Sequence, residues 1–497
     1  MSSLRSLLGQ TAIYGVSSIV GRVMNFFILT PFYTRIFDKV EYGAITELYA
    51  YVAFLLVFLT YGMETAFFRF ASSEKDPSKQ SVVFSTAAIS LLSTSTLFIV
   101  LVYLTGGNLA DALGYASNPE YIILFGWIVA IDSFVTIPFA RLRLQNRAIR
   151  FASVNLASIV VNILLNLFFF LYCPTALENG NDWVSSFYNP EFGIGYVFVA
   201  NLAGTLTKLI LLLPVLTGLK YGFNPKLFKE LLPYALPLLF LGLAGIVNET
   251  FDRAAFESLS GLPKEEATAQ LGIYGACYKV AMLLSIGIQA YRFAAEPFIF
   301  SLVKGKRSNQ VQADVMKFYF IVALLISMTL ICLDDIALLL IGEEFRVGAP
   351  VIPILLSAYI FYGVVFNLSF WYKLNDKTIY GAGIALSGAL VTIGLNIWLV
   401  PKIGYYGSAW ATLAAYFVMT IISYSLMRKH HPMPYDLSSI GQYVLLAVLL
   451  VATFEFIDPR GWVKYAGGIG VIVLFTLFAF QKEKKLLRPY DNGRNHK

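Results

Sequence analysis

The stretch Gly272–Phe300, GIYGACYKVAMLLSIGIQAYRFAAEPFIF, decides how the chain is read. At about 1.5 Å per helical residue it is long enough to cross the roughly 30 Å hydrocarbon core of a bilayer. It nevertheless carries Lys279, Arg292 and Glu296 inside that length. A charge at membrane depth costs a few kcal/mol, so it faces a protein interior or a wet cavity and is a functional candidate by default. Arg292 and Glu296 lie at i,i+4 and can pair along one face, which Gln289 shares. Lys279 falls on nearly the opposite side of a straight helix. Either Gly287 bends the helix or the two cations serve different surfaces.

Outward from this stretch the composition is of one kind. The 497 residues are 58% hydrophobic, 15% aromatic and 13% charged, with a mean hydropathy of +0.69. Apolar runs of about 20 residues recur along the chain, which predicts an all-α polytopic membrane protein rather than a barrel of alternating ten-residue strands. The net charge of +7 sits in short loops between apolar runs, where it orients a membrane protein, and nucleic acid is not an expected partner. Cys173, Cys277 and Cys332 are too scattered for a metal site or CxxC pair and read as packing residues. His430 and His431 have no carboxylate cluster beside them, so no metal or cofactor is expected. The N-terminal run after Arg5 has no small-residue cleavage site and reads as a retained first span.

Fourteen spans are predicted, near residues 10–32, 42–68, 82–104, 120–141, 151–172, 193–216, 232–256, 270–298, 317–340, 348–372, 380–400, 404–427, 440–457 and 463–480. Most Lys and Arg fall in the loops on the side of the N-terminus, so the positive-inside rule places both termini in the cytoplasm. Four cations remain within spans: Arg22, Lys208, Lys279 and Arg292. In the first span Thr11, Tyr14, Ser18, Arg22 and Asn25 follow helical spacing and form one polar stripe, with Arg22 too central to snorkel. It lines an interior or is locked to Glu47 or Glu64 of the second span. Asp132 lies mid-span in the fourth helix; Asn201, Thr205 and Lys208 share a stripe in the sixth. Asn155, Ser158, Asn162 and Asn166 read as helix–helix hydrogen bonding in the fifth. The seventh span is expected to break at Pro233 and Pro237 and carries Glu249 and Arg253 at i,i+4 near its outer edge. Glu64, Asp132, Glu249 and Glu296 are candidates for ion coupling or for charge pairing. The run Arg141–Arg150, with four arginines, reads first as a cytoplasmic charge anchor and second as a lipid-headgroup contact.

An internal repeat organises these spans. Tyr42-Gly43-Ala44 recurs as Tyr274-Gly275-Ala276, and at the same offset Glu64 aligns with Glu296 and Phe68 with Phe300. Gly193, Ala200, Leu202 and Ala203 match Gly404, Ala411, Leu413 and Ala414. The reading is two six-helix lobes of the same membrane orientation, at 1–216 and 232–427, around a central cavity. A linker at 217–231, two added helices within 428–480 and a basic cytoplasmic tail at 481–497 complete the chain.

Thr11-Ala-Ile-Tyr-Gly…Arg22…Pro31-Phe-Tyr-Thr-Arg35…Glu41-Tyr-Gly43 resembles the start of the polysaccharide-biosynthesis flippases of the multidrug/oligosaccharidyl-lipid/polysaccharide exporter superfamily. Gly272-Ile-Tyr-Gly…Lys279…Glu296-Pro297 and Gly404-Tyr-Tyr-Gly-Ser-Ala-Trp-Ala-Thr-Leu are similar to that family's eighth and twelfth helices. The resemblance implies a flippase that moves an undecaprenyl-diphosphate-linked oligosaccharide across the bacterial inner membrane by alternating access. O-antigen, capsule or another surface glycan would be the product, with a polymerase or ligase acting downstream. Related lipid flippases keep arginines in the cavity on the helices equivalent to the first and eighth, where Arg22 and Arg292 stand. Lys279 and Lys208 are added cavity cations, and Ser18, Asn25 and Gln289 a supporting polar face. A diphosphate suits such a site, because the planar guanidinium fork binds phosphate bidentately.

Two rivals remain. A cation-coupled multidrug exporter of the same superfamily would favour an acidic and aromatic cavity, against Arg22, Arg292 and Lys279. A polytopic glycosyltransferase or polymerase would need a large outer loop for its chemistry. The longest outer loop, near 173–192, has no Lys, Arg or His, so the chain is not read as an enzyme. No GxxxxGK[ST] motif appears for ATP.

Overall fold

The computed structural model describes residues 19–21, 23–301, 306–375 and 377–484. They are helical, with no strand among them. The described part of α1 ends in a π-turn, Asn25–Leu29, running into Thr30–Ile36. There follow α2 (Lys39–Ser73), α3 (Pro77–Ala112), α4 (Glu120–Leu144), α5 (Ala148–Glu178), α6 (Gly195–Thr217) and α7 (Pro225–Ala254). Next come α8 (Lys264–Ser301) and α9 (Lys306–Cys332). The chain continues through α10 (Glu343–Leu374), α11 (Ile379–Ile403), α12 (Tyr405–His430), α13 (Leu437–Ile457) and α14 (Trp462–Glu483). Thirteen of these are long and apolar enough to cross a membrane among the described residues; the predicted first span begins before the described ones. The outward faces are lipid-suited: Phe456 is 91% exposed, Leu104 73% and Phe240 70%.

Sequence explains the joints. Asp38 closes a capping box on α2, accepting from Glu41 N (2.8 Å) while Glu41 Oε2 accepts from Asp38 N (3.2 Å). Inside α2, Tyr61 and Gly62 are left-handed (φ 32° and 74°). A Cβ on Gly62 would stand 2.5 Å from the Ala235 carbonyl oxygen, so this glycine lets α7 approach the kink. Below it, the second half of α2 packs with α3, α4 and α7 around Phe67, Phe84, Leu91, Ile137 and Ala235. The seventh helix corrects the expectation of a break: it starts earlier, with Asn224 as its cap, and runs through Pro233 and Pro237 without interruption. Apolar spans tolerate proline where neighbours re-satisfy the backbone.

The chain divides into two compact units. One holds Met1–Ala276, Glu343–Phe345 and Ala385–Ala411; the other holds Cys277–Gly342, Arg346–Ile384 and Thr412–Lys497. In the first, the two copies of the Tyr-Gly-Ala repeat meet each other. A Cβ on Gly43 would stand 1.9 Å from the Thr268 carbonyl oxygen, and one on Gly272 would stand 2.0 Å from that of Lys39. On Gly275 it would reach Thr46 Oγ1 at 2.7 Å. The Lys39 end of α2 and the Lys264 end of α8 therefore cross backbone to backbone, as small residues allow. The Gly404-Tyr-Tyr-Gly-Ser segment is equally structural. Gly404 turns the chain at φ 56°, Gly407 lies against the Leu399 backbone, and Ser408 donates to Asn396 Oδ1 (3.0 Å).

In the second unit α9, α13 and α14 share a core of Met328, Tyr443, Ala447, Phe475 and Ala479. Lys317 lies 3.2 Å from Glu483 and 3.7 Å from Asp436, and Tyr443 donates to Glu483 at 2.6 Å. At the opposite end of the helices Lys464 binds Asp334 (2.6 Å) and Asp335 (3.0 Å).

Candidate functional site

The candidate cation site forms where α8 passes α10. Arg292 lies with its guanidinium carbon 4.7 Å from the centre of the Phe366 ring and donates to the Tyr362 hydroxyl at 3.2 Å. Lys373, at the end of α10, places its ammonium 5.2 Å from the centre of the same ring and donates to Glu296 Oε1 at 3.2 Å. Two cations thus meet at one aromatic ring, held by cation–π attraction and one carboxylate. Among the described residues Glu296 takes its hydrogen bond from Lys373, across to the neighbouring helix, where the spacing allowed a pair with Arg292. Tyr291 donates to Asn367, whose amide donates to the Gly363 carbonyl (2.9 Å) and fixes the hydroxyl's partner. Both helices are therefore locked at the residue beside Arg292 on α8 and the residue beside Phe366 on α10. Chemically the arrangement offers a planar donor fork and a mobile ammonium to an anion with two acidic groups.

The other predicted residues fall elsewhere. Arg22 and Ser18 lie outside the described residues. Asn25 stands in the π-turn of α1, part-buried. Lys279 and Gln289 are part-buried on α8, which continues through Gly287 as one helix. Lys208 is bound to Asp132: its ammonium donates to Oδ1 at 2.8 Å, and Thr205 reaches the same oxygen at 3.4 Å. Glu64 pairs with Arg143, which also lies 4.9 Å over Phe68. Arg253 donates to the Glu249 carbonyl oxygen and lies 3.7 Å from Asp252, whose other oxygen accepts from Tyr274 at 2.5 Å. Of the arginine run, Arg141 donates to the Val215 carbonyl (3.0 Å) and covers Phe84 at 4.2 Å, while Arg150 reaches the Leu211 carbonyl (3.3 Å). These arginines fasten α4 and α5 to the end of α6.

The Asp132–Lys208 pair makes a sharp prediction. Either Asp132→Asn or Lys208→Met leaves an unbalanced charge among apolar helices, and the double replacement removes both. Each single variant is expected to fall by about 1–3 kcal/mol in stability, with the double variant recovering most of it. Thermal unfolding of the four proteins in detergent checks this. Additive losses would show that the two residues act independently.

Sequence reasoning missed Lys373. Standing at a span end it counts as a loop cation, and only the aromatics Phe366 and Phe370, seven and three residues before it, marked it as facing a ring.

The membrane protein MJ1068 of Methanocaldococcus jannaschii, itself uncharacterized, is 22% identical over 458 residues, covering 84% of each chain. Among solved structures, the lipid II flippase MurJ in an inward closed conformation superposes with a TM-score of 0.68 at 11% identity, over 95% of this chain and 99% of that one. An inward-facing multidrug resistance transporter of the MATE family, from the same superfamily, gives 0.61 at 14% identity, over 82% and 96%. These likenesses establish the fold as that of the multidrug/oligosaccharidyl-lipid/polysaccharide superfamily. The family described as polysaccharide biosynthesis protein matches residues 7–303, and the chain, a multi-pass membrane protein, belongs to it.

Proposed function

We propose that the protein is a flippase for a polyprenyl-diphosphate-linked oligosaccharide, carrying it across the bacterial inner membrane by alternating access of two six-helix lobes, 1–216 and 232–427. The observation that carries this reading is the pair of cations, Arg292 and Lys373, gathered at the one Phe366 ring. A diphosphate bears about two negative charges, and the two donors match it with a bidentate and a point contact. The MurJ-like fold and the family support a lipid-linked cargo. With both termini in the cytoplasm, as the loop charges favour, α8 and α10 bring this pair towards the cytoplasmic side, where such a lipid is loaded. Arg22 is proposed as a further phosphate donor, with Lys279, Lys208, Ser18, Asn25 and Gln289 as supporting polar groups. Glu296 then serves as the resting partner that Lys373 exchanges for phosphate.

The test is mass spectrometry of lipid extracts from cells depleted of the protein, with and without rescue. A polyprenyl-diphosphate oligosaccharide is expected to accumulate on the cytoplasmic face and to clear on rescue, which also identifies the glycan. Failure of that lipid to be made would favour a synthetic enzyme. A normal lipid pool with retained cationic dyes would favour a drug exporter.

A further inference from the structure

A second cluster, all within the first unit, lies beside the crossing of α2 and α8 and is not used by the cargo site. Glu47, 1% exposed, stands one turn after Gly43 and accepts hydrogen bonds from Tyr51 (2.8 Å) and Tyr115 (2.6 Å). Glu257, in the connector between α7 and α8, faces Glu47, and Lys264 of α8 lies 3.4 Å from its Oε2. Lys264 also sits 4.1 Å over the Tyr115 ring and donates to the Leu113 carbonyl. The loop after α3, the connector, α2 and α8 thus converge on two carboxylates, two phenols and one ammonium. The nearby Asp252 is held separately by Tyr274 and Arg253.

Charge balance assigns the proton. Two facing carboxylates can hydrogen-bond to each other only when one is protonated, and two ionised ones beside a single Lys264 would leave a net negative charge in a largely buried site. Both oxygens of Glu47 already accept a tyrosine hydroxyl, so in a bond shared by the two carboxyls Glu257 is the donor. Its side chain is 24% exposed, open to exchange with the medium, whereas Glu47 is enclosed.

We propose that one proton shared between Glu257 and Glu47 latches the Lys39 end of α2 to the Lys264 end of α8, and that its loss releases the crossing. The latch does not depend on the cargo; the orientation proposed above, with both termini in the cytoplasm, sets it on the outer face. Burial, then the charge of Glu47 and its hydrogen bond, raise the Glu257 carboxyl to about 7, against the opposing pull of Lys264. The closed crossing therefore binds a proton that a released, solvated glutamate gives up near the usual value of about 4.3. Closure is favoured in full below that value, and the advantage is lost as pH rises towards 7, by about tenfold per unit in the closing equilibrium.

The experiment is pulsed electron–electron distance measurement in lipid nanodiscs, without any lipid-linked sugar, using spin labels at Ile36→Cys and Glu265→Cys. Both sites are exposed, and Cys173, Cys277 and Cys332 are replaced by Ala. A single short distance is expected at pH 4.5, with a longer one growing in up to pH 8. Glu257→Gln, whose amide donates to Glu47 at any pH, is expected to stay short throughout. Lys264→Met is expected to move the midpoint up. An unchanged wild-type distance from pH 4.5 to 8.5, or a wild-type pH profile in Glu257→Gln, overturns the latch. If Glu257→Gln does not reach the membrane, Glu47→Gln decides. Losing the neighbouring charge should lower the midpoint by about one unit, and an unmoved midpoint overturns the proposal. Because no cargo is present, failure of the flippase reading leaves this result standing, and the reverse.

Discussion

Replacing Arg292 by Ala is expected to cut transport of the lipid-linked oligosaccharide at least tenfold while leaving the protein inserted. Its guanidinium is held by one neutral hydroxyl and one ring face, contacts that support little of the fold, so its removal should not unfold α8. What disappears is a charge-assisted contact to phosphate, on the order of 1.5–3 kcal/mol for each hydrogen bond lost. Arg292→Lys should restore part of the rate, since an ammonium keeps the charge without the fork. Lys373→Met should cost less, because removing it leaves Glu296 without its partner but Arg292 in place. The measurement is the rate at which labelled lipid-linked sugar becomes accessible across proteoliposome membranes, set beside the amount of protein inserted. Wild-type rates in the Arg292→Ala, Lys373→Met double variant would remove the anionic-headgroup site.

How far the sequence reached depends on the length scale of the signal. Apolar runs of about 20 residues are long-range and redundant, so helices from α2 to α14 lie close to their expected places. The start of α7 lies earlier than its apolar run, because Asn224-Pro225, a cap followed by a first-turn proline, opens the helix on polar residues. Arg292 was legible because it is a cation deep inside an apolar run. Lys373 was not, because at a helix end a lysine looks like any loop cation. Asp132 and Lys208 were each legible, but their pairing requires knowing that α4 and α6 are neighbours, which periodicity does not encode. Glu257 sits in a polar connector with no period at all and Lys264 at the first residue of α8, and only folding brings them beside Glu47. The repeated Tyr-Gly-Ala could be found by alignment of the chain with itself, whereas its meaning, that the two copies meet, is a property of the packed helices.

That meeting carries the second large effect. Gly43→Ala would set a Cβ 1.9 Å from the Thr268 carbonyl oxygen and 2.8 Å from its carbon, and Gly272→Ala would set one 2.0 Å from the Lys39 carbonyl oxygen. In both cases the obstacle is backbone, which cannot rotate aside as a side-chain tip can, so the helices themselves must separate. Overpacking of this kind costs about 1–3 kcal/mol or more, and separation also parts Glu47 from Glu257. Either variant is therefore expected to unfold at lower temperature than wild type and to show the long distance between the labels at 36 and 265 at every pH. Gly107→Ala is the control: its Cβ meets nothing within 4 Å, and in a helix alanine is the better former, so stability should hold or rise. If Gly43→Ala and Gly272→Ala keep both the wild-type unfolding temperature and the pH-dependent distance, the crossing is looser than its backbone contacts imply. The latch would then have no closed seam to hold.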